Sequence, residues 1–229
     1  MTVYSGHSKG DVVFSRFVYS SQVSLHLFIS LFTLVILEIL KAYVNRIMPL
    51  DDRDWQAFSG LFREKHLRKG EHFSEAGSVA PQLGLLLHGI GRSYYQNKDG
   101  LEYNKHFFVP VQLIGSFGSL LSGQTSQISI QALTDAQLLV ADFASIIALY
   151  DEHPRIERMF RLLAQHLYAV KEKKEIEMAM MHAEERYFLF LKEFPDLETL
   201  IPQYQIAAYL NITPTQLSRI RSKLLMVGW

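Results

Sequence analysis

The sequence predicts an α+β chain: an antiparallel β-roll, or jelly roll, then one long helix, then a C-terminal pair of helices in helix-turn-helix spacing. Three observations carry this reading. Between Leu67 and Asp142, short apolar runs recur between Gly, Asn and Asp residues, the rhythm of short strands joined by turns. From Pro154 to about Met181, apolar residues return at alternating steps of three and four, the period of a helix with one apolar stripe. Between Pro202 and Leu224, a helix-stop signal and a helix-start signal are separated by a tight turn.

At 229 residues the chain can hold two small domains, and 48% hydrophobic content with 23 basic and 23 acidic residues suits a globular protein rather than a polyelectrolyte. There is no cysteine, which rules out disulfides, thiolate zinc sites and cysteine-ligated iron–sulfur clusters. The nine histidines include no close pair at helical metal-binding spacing, so neither a metal nor any other cofactor is expected.

Residues 1–37 fit none of the three patterns. Val23 to Leu37 is an apolar run broken by Ser24, His26, Ser30 and Thr33, with Glu38 following. A spanning helix takes about 20 apolar residues, so the run is short for one. Lys9 and Arg16 are the upstream basic residues, and no small-residue cleavage site is evident. Three readings stand: an extension appended to the functional fold, as an over-long start assignment would give; a membrane anchor; and an amphipathic helix held against a partner subunit. The first is preferred, with a cytoplasmic protein as its consequence and membrane association through 23–37 as the alternative.

The regular fold is expected from residue 38. Asp51 or Asp52 caps a helix that carries Trp55, Phe58, Leu61 and Phe62 on one face. Strands are then predicted at Leu83 to His88, Arg92 to Gln96, Tyr103 to Phe108, Ile128 to Leu133 and Leu138 to Ala141. Asn97-Lys-Asp-Gly100 is the clearest hairpin turn, because glycine permits the positive φ such turns need. A roll of this kind needs covering helices, which the flanking segments can supply. Asp142 to Glu152 reads as a short helix closing a domain at 38–152. The long helix of 153–181 places Ile156, Met159, Leu163, His166 and Val170 on a seam, which fits either the chain's own core or a second helix. Lys171 to Lys174 reads as solvated face.

The last segment, 182–229, is the most explicit. Pro202 to Leu210 reads as a helix, with Ile206 and Leu210 on one face and the small Ala207 and Ala208 permitting close approach. Asn211 tolerates a left-handed backbone and ends it, and Ile212 plugs the corner. Thr213, Pro214 and Gln216 then write a new start: a cap, a proline where its missing N–H is harmless, and a Thr-x-x-Gln capping box. Leu217, Ile220 and Leu224 form the buried stripe, which directs Thr215, Gln216, Ser218, Arg219 and Ser222 outward. Those side chains suit reading DNA bases from the major groove, Arg219 against guanine and Gln216 against adenine, with Arg221 and Lys223 as phosphate anchors. From Asn211 to the end there are three basic residues and no acidic one, so this tip is positive although the whole chain is neutral.

With these residues in view, the chain resembles the Crp/Fnr family of bacterial transcription regulators. The stretch AEERYFLFLKEFP, from Ala183 to Pro195, is similar to the family's helix leading into its DNA-binding domain. Leu67-Arg-Lys-Gly70, Glu75-Ala-Gly77, Gly89 and Asp99-Gly100 fall where the family's sensory β-roll places turns, and the likeness covers roughly Leu40 to Leu224. The resemblance implies a sensory roll, a dimerisation helix, a homodimer on double-stranded DNA reading a near-palindromic operator, and contact with RNA polymerase. It departs at the C-terminal end: the family continues past the recognition helix into a β-hairpin wing, which is short or absent here after Leu225.

Family members that bind cyclic nucleotides do so through a Gly-Glu-Leu step and an Arg-Ser step. Aligning Ile114-Gly115 and Gln131 to Asp135 with that cassette places Ser116 at the glutamate and Ser126-Gln127 at the arginine and serine. From His106 to Pro154 there is no Lys or Arg in 49 residues, so no small shift restores the cation. Burying an anion without one is costly. Cyclic AMP is therefore not expected to bind in the family's usual manner, and the effector is unassigned. Gly115, Ser116, Ser126 and Gln127 are the candidates for a polar pocket, beside the plainer reading of a serine-rich loop.

No enzyme is expected. Nucleophile elbow, Walker loop and zincin pair are missing from the sequence, and Glu184-Glu185 are consecutive, so their carboxylates diverge on a helix. The leading expectation is a DNA-binding regulator whose recognition helix starts at Pro214; the alternative is a membrane-tethered sensory module that uses the roll.

Overall fold

The computed structural model describes residues 34–227, with side chains up to residue 224. The extension expected at 1–37 lies outside the described residues up to position 33, and so does most of the apolar run of 23–37. What is described of it departs from the expected boundary. Helix α1 runs through 34–47, across residue 37, and its Ile36, Leu40 and Val44, four apart, are buried in the core. These positions are therefore part of the folded protein rather than an appendage. Among the described residues, no helix is long and apolar enough to cross a membrane.

Eight strands build the roll: β1 (Arg63–Leu67), β2 (His72–Ser74), β3 (Gln82–His88), β4 (Gly91–Gln96), β5 (Glu102–Phe108), β6 (Gln112–Ile114), β7 (Ser129–Ala132) and β8 (Ala136–Asp142). They pair antiparallel in two four-stranded sheets, ordered β1-β8-β3-β6 and β2-β7-β4-β5. Phe73, Leu86, Phe108, Ile114, Ile130 and Leu138 fill the space between the sheets. The five expected strands are present, each shifted by no more than two residues at an end. Strands β1, β2 and β6 were not expected. β1 is mostly polar with Leu67 alone buried, and it exists because its backbone completes the edge of β8 from Arg63↔Val140 to Leu67↔Ala136. At the hairpin of β4 and β5, Asn97 Oδ1 accepts from the N–H groups of Asp99 and Leu101 at 3.0 and 2.9 Å, and Gly100 takes φ 82°. Gly89 turns with φ 93°, and a Cβ there would lie 2.4 Å from the Asp135 carbonyl oxygen, so no other residue fits.

Both sheets are covered on their outer faces, and this decides everything that follows. On the first sheet, Leu83, Leu85, Leu139 and Ala141 meet α1, α2 (Asp52–Ser59), α4 (Phe143–Ile147) and the first half of α5 (Pro154–Met180). Asp51 is the cap of α2, its Oδ1 accepting from Asp54 N–H at 2.9 Å. Asp54 itself is buried and pairs with His153 at 2.7 Å, bolting α2 to the start of α5. The short helix α3 (Phe117–Ser122) closes the loop between β6 and β7.

The seam expected on α5 divides in two. Ile156, Met159 and Leu163 are buried in the chain's own core, whereas His166 and Val170 are exposed. Tyr168, Ile176 and Met180 are also exposed, at 68%, 57% and 78%, so the second half of the helix shows apolar side chains to solvent. Lys171 and Lys173 are solvated as expected, but Lys174 is not: its ammonium hydrogen-bonds Glu193 and, at 2.9 Å, Tyr209. Burial disfavours its charge, and those two bonds outweigh burial and hold its pKa above the ordinary lysine value.

The second sheet is covered by the C-terminal unit: α6 (Ala183–Glu193), α7 (Leu197–Leu200), α8 (Gln203–Leu210) and α9 (Pro214–Val227). Ile90 and Phe107 of the roll share one buried cluster with Tyr187, Phe190, Phe194 and Ile206. Met181 and His182, both extended, are the break between α5 and α6.

His106 of β5 lies on this seam, its ring 4.9 Å from Phe108 and 5.9 Å from Phe194. Burial lowers its pKa below the ordinary histidine value, against the opposing pull of the Gln112 hydrogen bond and the Glu193 charge. The unfolded chain therefore binds a proton before the folded one does. The stability involved is complete above the unfolded value of about 6.5 and is lost as pH falls toward the lower folded value. Thermal melts should show the melting temperature falling on acidification from neutral pH, and falling less in His106→Gln.

Candidate nucleic-acid interface

The site is two short helices and the corner between them. α8 ends at Asn211, which adopts φ 54° and ψ 46°, the left-handed conformation that stops a helix; Ile212 N–H then bonds back to the Ala207 carbonyl at 3.0 Å. The capping box forms in both directions. Gln216 N–H donates to Thr213 Oγ1 at 3.2 Å, while Gln216 Oε1 accepts from Thr213 N–H at 2.9 Å and from the Thr213 hydroxyl at 3.2 Å. Leu217 and Ile220 are buried against Ile206, Ala207 and Leu210, and Leu224 is partly buried beside them. A rigid pair results, with the start of α9 fixed by α8.

Thr215, Gln216, Ser218, Arg219 and Ser222 are all exposed. Among the described residues Arg219 has no hydrogen-bond or ion-pair partner, so its five N–H donors face solvent. Ser222 Oγ donates to the Ser218 carbonyl at 3.0 Å. The two expected phosphate anchors are differently placed. Lys223 pairs with Glu184 of α6 at 2.9 Å, and Arg221 lies 3.8 Å from Glu198 of α7. Exposed pairs of this kind are worth about 0–1 kcal/mol, so a phosphate can displace either carboxylate at small cost. Glu198 also accepts from the Tyr187 hydroxyl at 2.6 Å; burial first and that carboxylate second push the phenol up to about 12.

In the roll, the polar-pocket candidates come together only in part. Ser116 and Ser126 are buried with their hydroxyls 2.8 Å apart. Ser126 Oγ donates to the Ile128 carbonyl at 2.7 Å, so the shared proton is that of Ser116. Both hydroxyls are thus satisfied internally. Gly115 packs under Leu120 and Leu83, and Gln127 is exposed. Between the sheets, a cavity of about 10 Å³ is lined by apolar side chains such as Phe73, Leu86 and Leu138, together with Gln131. That is room for a single water.

The sequence reading missed the polar side chains that join the two halves. Arg92 of β4 is 4% exposed, and its guanidinium donates to Gln131, Glu102, Asn104 and Gln205. Gln205 belongs to α8, 113 residues away in sequence. A lone arginine inside an otherwise uncharged strand was the available signal. Nothing local names its partner.

Residues 64–153 match the cyclic nucleotide-binding domain family. No curated protein sequence matches the chain. Among solved structures, FixK2 of Bradyrhizobium japonicum superposes with a TM-score of 0.63 at 22% identity, covering 73% of this chain and 86% of that one. The c-di-GMP-responsive global regulator CLP of Xanthomonas campestris gives 0.62 at 14% identity, over 78% and 93% of the two chains. A protein of the Crp/Fnr family from Eubacterium rectale, described as a transcriptional regulator, gives 0.60 at 19% identity, over 78% and 85%. The chain shares their fold, a nucleotide-binding-type roll followed by the helices of a C-terminal unit.

The closed serine pair and the filled roll generate one prediction about ligands. Calorimetric titration with cyclic AMP should give no saturable heat at micromolar ligand; a micromolar Kd would overturn it.

Proposed function

We propose that this chain is a homodimeric, sequence-specific DNA-binding transcription regulator of Crp/Fnr type, with α9 as recognition helix. The observation that carries the proposal is the outer face of α9. Thr215, Gln216, Ser218, Arg219 and Ser222 are exposed together on a helix whose start is capped and whose opposite stripe is buried on α8. A helix presented this way meets the major groove with its N-terminal residues toward base edges. Arg219, without a partner among the described residues, suits the O6 and N7 acceptors of guanine, and Arg221 and Lys223 suit the flanking phosphates.

The homodimer has support of its own. Tyr168, Ile176 and Met180 are exposed on the second half of α5, where a monomer gains nothing from apolar side chains and a paired helix would bury them. Two copies joined there would present two recognition helices to a near-palindromic operator. The roll then serves as the regulatory domain, with an effector other than cyclic AMP held in the usual way, or with none. Contact with RNA polymerase follows from the same resemblance, as does a place in the cytoplasm.

The test is a mobility-shift series at several salt concentrations. Specific binding should weaken as salt rises. Arg219→Ala should cost about 1–3 kcal/mol on the preferred site and relax base preference at one position, whereas Lys223→Ala should weaken all sequences alike and lower the salt slope by about 1. Sequence preference that survives Arg219→Ala would refute the assignment of the reading face.

A further inference from the structure

We infer that Arg92 is a latch: a positioning residue on the roll that sets the angle of the recognition helix, acting through Gln205 of α8. The inference rests on the DNA-reading proposal for its purpose, though not for its existence.

A guanidinium carries five N–H bonds, two of them on each terminal nitrogen. Arg92 Nε and Nη2 both reach Gln131 Oε1, at 3.0 and 2.8 Å. Nη1 faces three acceptors: Glu102 Oε2 at 2.6 Å, Asn104 Oδ1 at 3.1 Å and Gln205 Oε1 at 2.8 Å. Two hydrogens thus serve three oxygens, two of which belong to the roll. If Gln205 leaves, Nη1 remains fully bonded and its charge remains paired with Glu102. The roll therefore keeps its cation satisfied with the C-terminal unit either on or off, which an interface built only for stability does not require.

Asn104 closes the other half of the clasp, donating from Nδ2 to the Gln205 side-chain oxygen at 2.7 Å and to its backbone carbonyl at 2.8 Å. Both the side chain and the backbone of Gln205 are thereby fixed to the roll. The surrounding contacts are aromatic, with Phe107 centred 6.1 Å from Phe190 and 5.2 Å from Tyr209. Apolar contacts attract without fixing direction, whereas a bonded polar cluster admits one register. Gln205 lies in the first turn of α8, and α8 shares its buried face with α9. The angle set at Gln205 is accordingly the angle of α9. The covalent alternative is weak, since the break at Met181 and His182 is the one chain connection from α5 into this unit.

In a dimer, that angle fixes the distance between two recognition helices and hence the half-site spacing. The 229-residue chain has no cysteine, so spin labels can be placed uniquely at Glu75→Cys on the roll and Leu200→Cys on the C-terminal unit, in labelled chain diluted with unlabelled chain. Pulsed dipolar spectroscopy should give one narrow distance. Gln205→Met, which removes the acceptor and leaves the roll's own bonds to Arg92 intact, should broaden it. Arg92→Lys, which loses the fork, should do the same, and Gln205→Glu should restore the narrow distance. Selection from random DNA should then return one half-site spacing for the unsubstituted protein, and for Gln205→Met several spacings around the same half-site sequence. A narrow distance in Gln205→Met overturns the latch. Broad distances with a single retained spacing, or with no DNA selected by any form, overturn its role in reading while the spectroscopic result stands by itself.

Discussion

The structure depends on covering the outer face of the second sheet. Phe107 is fully buried there although its strand lies at the edge of the roll, and the aromatic side chains that bury it come from α6 and α8. Without the C-terminal unit the roll would present Ile90 and Phe107 to water, and without the roll the unit would expose Phe190 and Phe194. Each half completes the core of the other. The first sheet obeys the same constraint through α1, α2, α4 and α5, so four layers stand in sequence: helices, sheet, sheet, helices.

This layering explains how polar groups are used. Where layers meet there is little room for charge, and three of the polar groups found there join elements. His153 with Asp54 joins α5 to α2. Lys174 joins α5 to α6 and α8 through Glu193 and Tyr209. Arg92 joins the roll to α8. Buried ionic groups are a poor source of stability and a good source of register. Two of the three, spanning 99 and 113 residues, hold elements distant in sequence at one angle.

Legibility in the sequence followed the range of the interactions. Asn211, Thr213 and Gln216 act on neighbours within a few residues, and the turn and capping box they form were readable from their order alone. The hairpin at Asn97 to Gly100 was readable for the same reason. Strands β1, β2 and β6 were not, because their pairing partners, not their side chains, make them strands. The α5 seam was legible as a stripe but not in its destination: periodicity marks Ile156, Met159 and Leu163 as apolar without saying that the chain's own roll lies opposite. The outward direction of the α9 side chains was legible. The carboxylates that engage Arg221 and Lys223 come from other helices and were not.

The capping box carries a consequence for what α9 can discriminate. Gln216 spends its carbonyl oxygen on the Thr213 N–H and hydroxyl, and among the described residues its amide nitrogen has no partner. Recognising adenine with both amide atoms needs the oxygen to accept from N6 while the nitrogen donates to N7. That oxygen can serve the helix start or the base, not both together. With the helix start intact, the position offers a single donor, and N7 is present on both purines. In the regulator proposed here, this lone donor can be accepted by adenine, guanine or the O4 of thymine and refused only by cytosine, so finer choice among bases would fall to its neighbour one turn along.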